Sequence, residues 1–331
     1  MSKKITIKDI AKEAGVSPAL VSFAMSNAQC SGSRHYSVNE ETARRILEIA
    51  EKHNFKPNIA ARNLRLKRSH TIGVILSDIS NSFFSNIARH IEDEANSAGY
   101  LALFGSTDEK PEKFKSLVDL MIDRDVDGII AVPCLGCEDT LVRIRKSEFP
   151  TVLIDRWYED FPRVILDNRL ASSMAVSHLL AKGHRRIEMF SYDMRIPNIK
   201  QRETGYIGAM MENGLGDYVN LNYVNYDSLQ EDINRIMSSI DFSKVDAAIF
   251  AANSIALAGL YYFSGVGISV PGDVDVVTYD ENDAFKLMSS QITYIRQPID
   301  EFAARSFEMI VDIIEKKETA CTNVILAPEL I

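Results

Sequence analysis

Over the first third of a hundred residues the apolar positions recur at helical spacing. Ile7, Ile10, Ala11 and Ala14 fall at i, i+3, i+4 and i+7, the stripe that lines one helix face, with Thr6 ahead of them as N-cap and Gly15 as terminator. Ser17 and Pro18 restart a helix directly: the hydroxyl can cap open amides, and proline at the first helical position forfeits no hydrogen bond. Two short helices joined by so tight a turn predict a helix-turn-helix, a unit that presents its second helix to the DNA major groove. Val21, Ala24 and Met25 then point inward. Ala19, Ser22, Phe23 and Ser26 fall on the opposite face, where base edges and phosphates would lie. A third helix is signalled by Asn39 as cap, Glu40 and Glu41 in the first turn, and the ladder Ala43, Ile46, Leu47 and Ala50. The polar stretch between the second and third helices, with Gly32, Arg34 and His35, reads as a loop that is either solvated or against the DNA backbone.

Beyond residue 69 the period changes. Short apolar runs alternate with amphipathic stretches: HTIGVILS, then SFFSNIARHIEDEANSAG, then YLALFGS, and onward through VDGIIAVP, TVLID, RRIEMFSY, VDAAIFAA and VDVVTYD. Strand and helix in alternation imply parallel sheets wound with helices, an α/β body behind a small all-α head. Such sheets hold ligands at the carboxyl ends of their strands. The residues at those ends are polar: Ser77 and Asp78, Asp155 and Arg156, Tyr192 and Asp193, Asn253 and Ser254, and Asp280. Carboxylates that accept from diols, with Arg and Asn that donate in fixed geometry, suit a ligand bearing several hydroxyls, so a sugar or sugar-like effector is expected. Phe83, Trp157 and Tyr226 are candidate stacking surfaces for its ring.

Charge sharpens this division. The whole chain of 331 residues carries a net charge of −9. Residues 1–68 contain 13 Lys plus Arg against 6 Asp plus Glu, a net +7, leaving 24 against 40, a net −16, for the rest. A basic head drawn to phosphate and an acidic body repelled by it would dock by one end only. No apolar run is long enough to span a bilayer and no export signal opens the chain, so a cytoplasmic protein without a membrane partner is expected. Four cysteines do not make a disulfide framework. Cys134 and Cys137 form a CxxC that could be redox-active or half of a zinc site, but no second pair completes it, and His178 and His184 sit in a helix and turn of their own. No metal and no cofactor are expected.

The segments ITIKDIAKEAGVSPALVSFAMSN and VNEETARRILEIAEKHNFKPNIAARNLR resemble the head of the lactose-repressor (LacI/GalR type) family. VILSDISNSFFSNI, VDGII, LIDR, VILDNRLASSMAVSHLLAKGHRRI, RETGY, VPGDVDVVTYDE and ITYIRQP are similar to its successive body motifs, in order. The resemblance implies a transcriptional regulator, in kind a repressor of carbohydrate genes. It would bind pseudo-palindromic double-stranded operator DNA as a homodimer or tetramer, under control of a small-molecule effector. It implies a helix-turn-helix at 1–56, a hinge at 57–68, and a periplasmic-binding-protein-like body at 69–331. The body would comprise subdomains 69–165 with 292–320 and 166–291 with 321–331, with chain crossings near 165, 291 and 321. Thr6, Ser17, Pro18, Ala19, Ser22, Phe23 and Ser26 would meet DNA. Asn58, Ala61 and Leu64 would belong to a hinge helix whose leucine wedges into the minor groove, unstacking a base step at a cost of a few kcal/mol. Asp78, Phe83, Asp155, Arg202, Asn253 and Asp280 would hold the effector. Two positions depart from the family pattern. Phe23 stands where many relatives carry an arginine, leaving a thymine-methyl contact or a place in the head's core as its two readings, and Ser254 stands where an aspartate is usual.

A solute-binding protein and a sugar-processing enzyme are the alternatives. The basic head argues against the first. The lack of GxGxxG, P-loop, GxSxG and HExxH patterns argues against the second.

Overall fold

The computed structural model describes residues 5–27, 39–55, 68–287, 291–317 and 323–331. The chain divides into two units, Met1–His70 and Thr71–Ile331.

The first unit holds α1 (Ile7–Ala14), α2 (Pro18–Asn27) and α3 (Glu40–Lys52). The Asp9 carboxylate accepts from the Thr6 backbone amide at 2.9 Å and from its hydroxyl at 2.6 Å, fixing the start of α1. Gly15 ends it at φ 65°, a left-handed conformation that glycine adopts without penalty. The Ser17 hydroxyl accepts from the Leu20 amide, and Asn39 accepts from the Glu41 amide at 3.0 Å. The apolar stripes meet in a small core of Ile10, Ala11, Ala14, Val21, Ala24 and Ile46, half of it alanine. Alanine at these contacts lets three short helices approach closely enough to close a core with few large side chains.

The second unit is built on two six-stranded sheets. Its elements in chain order are β1 (Thr71–Leu76), α4 (Ser82–Ser97), β2 (Leu101–Ser106), α5 (Pro111–Asp123), β3 (Gly128–Ala131), α6 (Glu138–Lys146), β4 (Thr151–Ile154), β5 (Arg163–Leu166), α7 (Asn168–Ala181), β6 (Ile187–Tyr192), α8 (Pro197–Glu212), β7 (Asn220–Val224), α9 (Leu229–Met237), β8 (Ala247–Phe250), α10 (Asn253–Val266), β9 (Asp275–Tyr279), β10 (Thr293–Arg296), α11 (Ile299–Glu315), β11 (Asn323–Leu326) and β12 (Glu329–Leu330). The first sheet runs β11-β5-β4-β3-β1-β2 and is parallel throughout. The second runs β12-β10-β9-β8-β6-β7 and is parallel except where β12 pairs antiparallel with β10. Continuous apolar runs such as TIGVIL are what strands covered by helices on both faces require.

The chain passes between sheets after β5, after β10 and after β11. Two expected crossings therefore move. Thr293–Arg296 belongs to the second sheet, so that crossing lies near 297 and not 291. Asn323–Leu326 belongs to the first, so the last crossing lies near 327 and not 321. The reason is register: ITYIR pairs with the end of VDVVTY, and NVIL with RVIL, before the chain turns.

Close helix packing positions the second subdomain's key arginine. A Cβ at Gly205 in α8 would sit 2.3 Å from the Arg169 carbonyl oxygen of α7, so only glycine permits this approach. Arg202, one turn earlier, thereby reaches Asn168 at the start of α7, where its Nε donates to Asn168 Oδ1 at 2.7 Å. No helix among the described residues is long and apolar enough to cross a membrane.

Candidate functional site

On α2 the inward set is as the spacing requires, with Val21 and Ala24 buried and Met25 packed against the head's core. Ala19 is exposed, Ser22 is half-buried and Phe23 is 49% exposed, outside that core. Of the two readings of Phe23, the one that folds it into the core is excluded. Thr6, Ser17 and Pro18 are exposed at the starts of α1 and α2. The side chain of Ser26 lies outside the described residues, as do Asn58, Ala61 and Leu64.

In the body a cavity opens between the carboxyl ends of the two sheets. Asp78, Phe83, Asp155, Arg202, Asn253 and Asp280 all line it. So do the other strand-end residues singled out by pattern, except Asp193, and Trp157, which carries the Arg163 guanidinium 5.8 Å over its ring, is also absent from the wall. Strand ends place these groups because each parallel strand stops at the same rim and the following loop turns back over it.

The first sheet contributes Asp78 after β1, Glu109 after β2, and Asp155 and Arg156 after β4. Arg156 is gripped by Glu109 in a two-pronged pair, Nη1 to Oε2 at 2.7 Å and Nη2 to Oε1 at 2.6 Å, and Nη1 also donates to the Pro133 carbonyl at 3.1 Å. Burial works against that charge, and the Glu109 carboxylate more than offsets it. The second sheet contributes Tyr192, Asn198, Arg202, Tyr226, Asn253, Ser254 and Asp280. Arg202 Nη1 donates to the Ala251 carbonyl at 2.6 Å, and the guanidinium lies 3.9 Å over the Tyr279 ring. Burial pushes the Asp280 carboxyl up to about 6 against the pull of Arg202, and burial also raises Asp155. Both aspartates sit at φ 64°, a left-handed conformation that stores backbone strain at the two rims facing each other.

Hydrogen bonds cross the cleft. Tyr226 Oη donates to Asp78 Oδ2 at 2.8 Å, Asn198 Nδ2 to Asp155 Oδ2 at 2.9 Å, and Asn253 Nδ2 to Ser82 Oγ at 3.0 Å. Ser254, the residue in place of the usual aspartate, pairs its hydroxyl with Tyr192 Oη at 2.7 Å. Sequence reasoning overlooked Glu109, Asn198 and Gln297. Glu109 follows β2 as Asp78 follows β1, so the strand-end rule would have found it. Asn198 and Gln297 come from a helix start and an interdomain crossing, which carry no such local signal.

Cys134 and Cys137 are buried in the apolar core beside β3. His184 instead meets Asp275, at 3.1 Å, below the second sheet. No group of three metal-ligating side chains gathers among the described residues.

Comparison with known proteins agrees with this architecture. Residues 6–58 match the model of bacterial regulatory proteins of the lacI family, and residues 176–331 match a periplasmic binding protein-like domain. The chain is 32% identical over 329 residues to the HTH-type transcriptional regulator RegA of Clostridium acetobutylicum, covering 97% of this chain and 96% of that one. Its fold matches a Lac repressor dimer bound to operator and the anti-inducer ONPF with a TM-score of 0.83 at 20% identity, over 99% of this chain and 98% of that one. A LacI family regulator from Enterococcus faecium with bound ribose matches with a TM-score of 0.70 at 24% identity, over 79% of this chain and 96% of that one. The relatives are transcriptional regulators and not enzymes. This chain belongs to the lacI family of DNA-binding transcriptional regulators.

Proposed function

We propose that the protein is a cytoplasmic repressor of carbohydrate genes that grips a pseudo-palindromic operator as a homodimer, and that a sugar or sugar derivative in the cleft sets the grip. The convergence of Asp78, Phe83, Asp155, Arg202, Asn253 and Asp280 on one cavity carries the effector half of this reading. The exposed face of α2 on a basic head carries the DNA half. The ribose held by the Enterococcus faecium relative and the operator held by the Lac repressor support both.

In this reading Ala19, Ser22, Phe23 and Ser26 meet the major groove of each half-site. Asn58, Ala61 and Leu64 form a hinge helix ordered on the operator, with Leu64 as wedge. An effector that prefers one subdomain closure by about 1 to 3 kcal/mol changes operator affinity roughly 5- to 150-fold. Leu64→Ala is expected to weaken operator binding far more than non-specific duplex binding; equal losses would remove the wedge. The test of the whole reading is selection of duplexes from a random pool by the full-length protein, with and without a small-molecule extract of cells. An enriched pseudo-palindrome whose retention changes with the extract is expected. Retention of duplexes without sequence preference would overturn it.

A further inference from the structure

The cavity wall is unbalanced in charge. Four carboxylates line it, Asp78, Glu109, Asp155 and Asp280, against two guanidinium groups, Arg156 and Arg202, and the lining includes no lysine and no histidine. Both cations are already engaged: Arg156 with Glu109 and the Pro133 carbonyl, Arg202 with Asn168, the Ala251 carbonyl and the Tyr279 ring. Glu109 thereby offsets the Arg156 charge, which leaves Arg202 as the one guanidinium against Asp78, Asp155 and Asp280.

The unmet hydrogen-bonding capacity points the same way. Among the described residues five buried side-chain polar atoms lack a partner, and four belong to residues of this wall: Ser77 Oγ, Asp155 Oδ1, Arg156 Nε and Gln297 Oε1. Two of the four are acceptors only, and Ser77 Oγ can also accept. The one atom of the four that can only donate, Arg156 Nε, lies 3.6 Å from Asp155 Oδ2. Buried acceptors without partners call for a donor-rich ligand. A sugar hydroxyl donates and accepts. A phosphate ester near neutral pH brings up to two negative charges and further acceptors into a site that already has a surplus of both.

We propose that the cleft takes an uncharged, hydroxyl-rich effector, an unphosphorylated sugar, and discriminates against the phosphate ester of that same sugar. The proposal rests on the effector-cleft reading above and adds to it the charge state of the ligand. The hydroxyls donate to Asp155, Asp280 and Gln297 while Tyr192 and Tyr226, 5.7 Å apart, offer ring faces beside them.

The test is calorimetric titration of the full-length protein with matched pairs, ribose with ribose 5-phosphate, glucose with glucose 6-phosphate, fructose with fructose 6-phosphate and their common disaccharide analogues. At least one free sugar is expected to bind, with its phosphate ester at least tenfold weaker. A phosphate ester that binds as tightly as its parent overturns the proposal. In Glu109→Gln, which leaves Arg156 without its carboxylate, the ratio between parent and ester is expected to narrow; an unchanged ratio overturns the electrostatic argument. If no sugar of either class binds while the extract still changes operator retention, the polyol assignment fails and the regulator reading stands. If the extract has no effect either, both fall together.

Discussion

The head and the body expose opposite solutions to the same task of holding polar groups ready for a partner. In the head the readout candidates stand outside the core: Phe23 is 49% exposed, while Ile10, Val21 and Ile46 are fully buried beneath. The candidate reading face and the face that holds the core are different faces of the same helices. In the body the candidate ligand groups are themselves interior. Asp155 is 2% exposed, Arg202 4% and Asp280 8%, and they share hydrogen bonds and charge with the residues that join the two sheets. Changes to the site should therefore move stability in the body and leave it nearly untouched in the head.

Arg202→Ala is the largest of these tests. It removes the cation that offsets two buried aspartates and leaves the Ala251 carbonyl and Asn168 Oδ1 unmet. Breaking a buried pair from one side costs about 3–5 kcal/mol. In a unit of this size that lowers the melting temperature of the body by roughly 10 °C, with loss of the effector response. An unchanged melt together with an intact response would show that the site is not integral to the fold, and the comparison would collapse.

Ile46→Ala should cost about 3 kcal/mol, since it empties one of the two isoleucine positions of a core whose other members are Val21 and three alanines. A domain so small buries too little surface to absorb that loss, so the head is expected to unfold and operator binding to vanish. Calorimetry should show the body's transition unmoved. A shift in both transitions would mean the two units are not energetically separate.

Asp280→Asn tests the body with the opposite sign. Because burial holds the Asp280 carboxyl at about 6, above its ordinary 3.8, the ionised form strains the folded state at neutral pH. The folded protein binds this proton more readily than the unfolded chain, so its relative stability is greatest below pH 3.8 and is lost as pH rises through 6. The asparagine variant should be about 3 kcal/mol more stable than the parent at pH 8, with the gain shrinking as pH falls through 6 toward 4. Effector affinity should fall at the same time. A gain independent of pH would place its origin outside this carboxyl.

How much of this was legible in the chain follows the same division. The head was readable because its signals are local: Thr6 with Asp9, Gly15, Ser17 with Pro18 and Asn39 each act within four residues of themselves. The strands were readable from apolar runs, and the strand-end rule led to Asp78, Asp155, Asn253 and Asp280 from positions more than two hundred residues apart. What pattern could not supply was pairing. That β10 joins the second sheet and β11 the first depends on which edge each meets in space, and an apolar tetrapeptide is compatible with either. Nor could it supply partnership: nothing in the sequence says that Arg156 is committed to Glu109, and that commitment decides the charge of the cleft.

The smallest expected change in stability is the most informative about the head. Phe23→Ala removes an exposed side chain outside the core, so the head's stability should move by less than about 0.5 kcal/mol. If the ring meets a thymine methyl in the major groove, operator affinity should still fall by about 1 kcal/mol, roughly fivefold, with non-specific binding unchanged. Phe23→Arg should go further and shift the selected half-site toward guanine at that base pair, since the guanidinium offers the two parallel donors that phenylalanine lacks. A Phe23→Ala head that melts well below the parent would mean the ring supports the fold after all. The separation of stabilising and reading faces that sets the head apart from the body would then be lost.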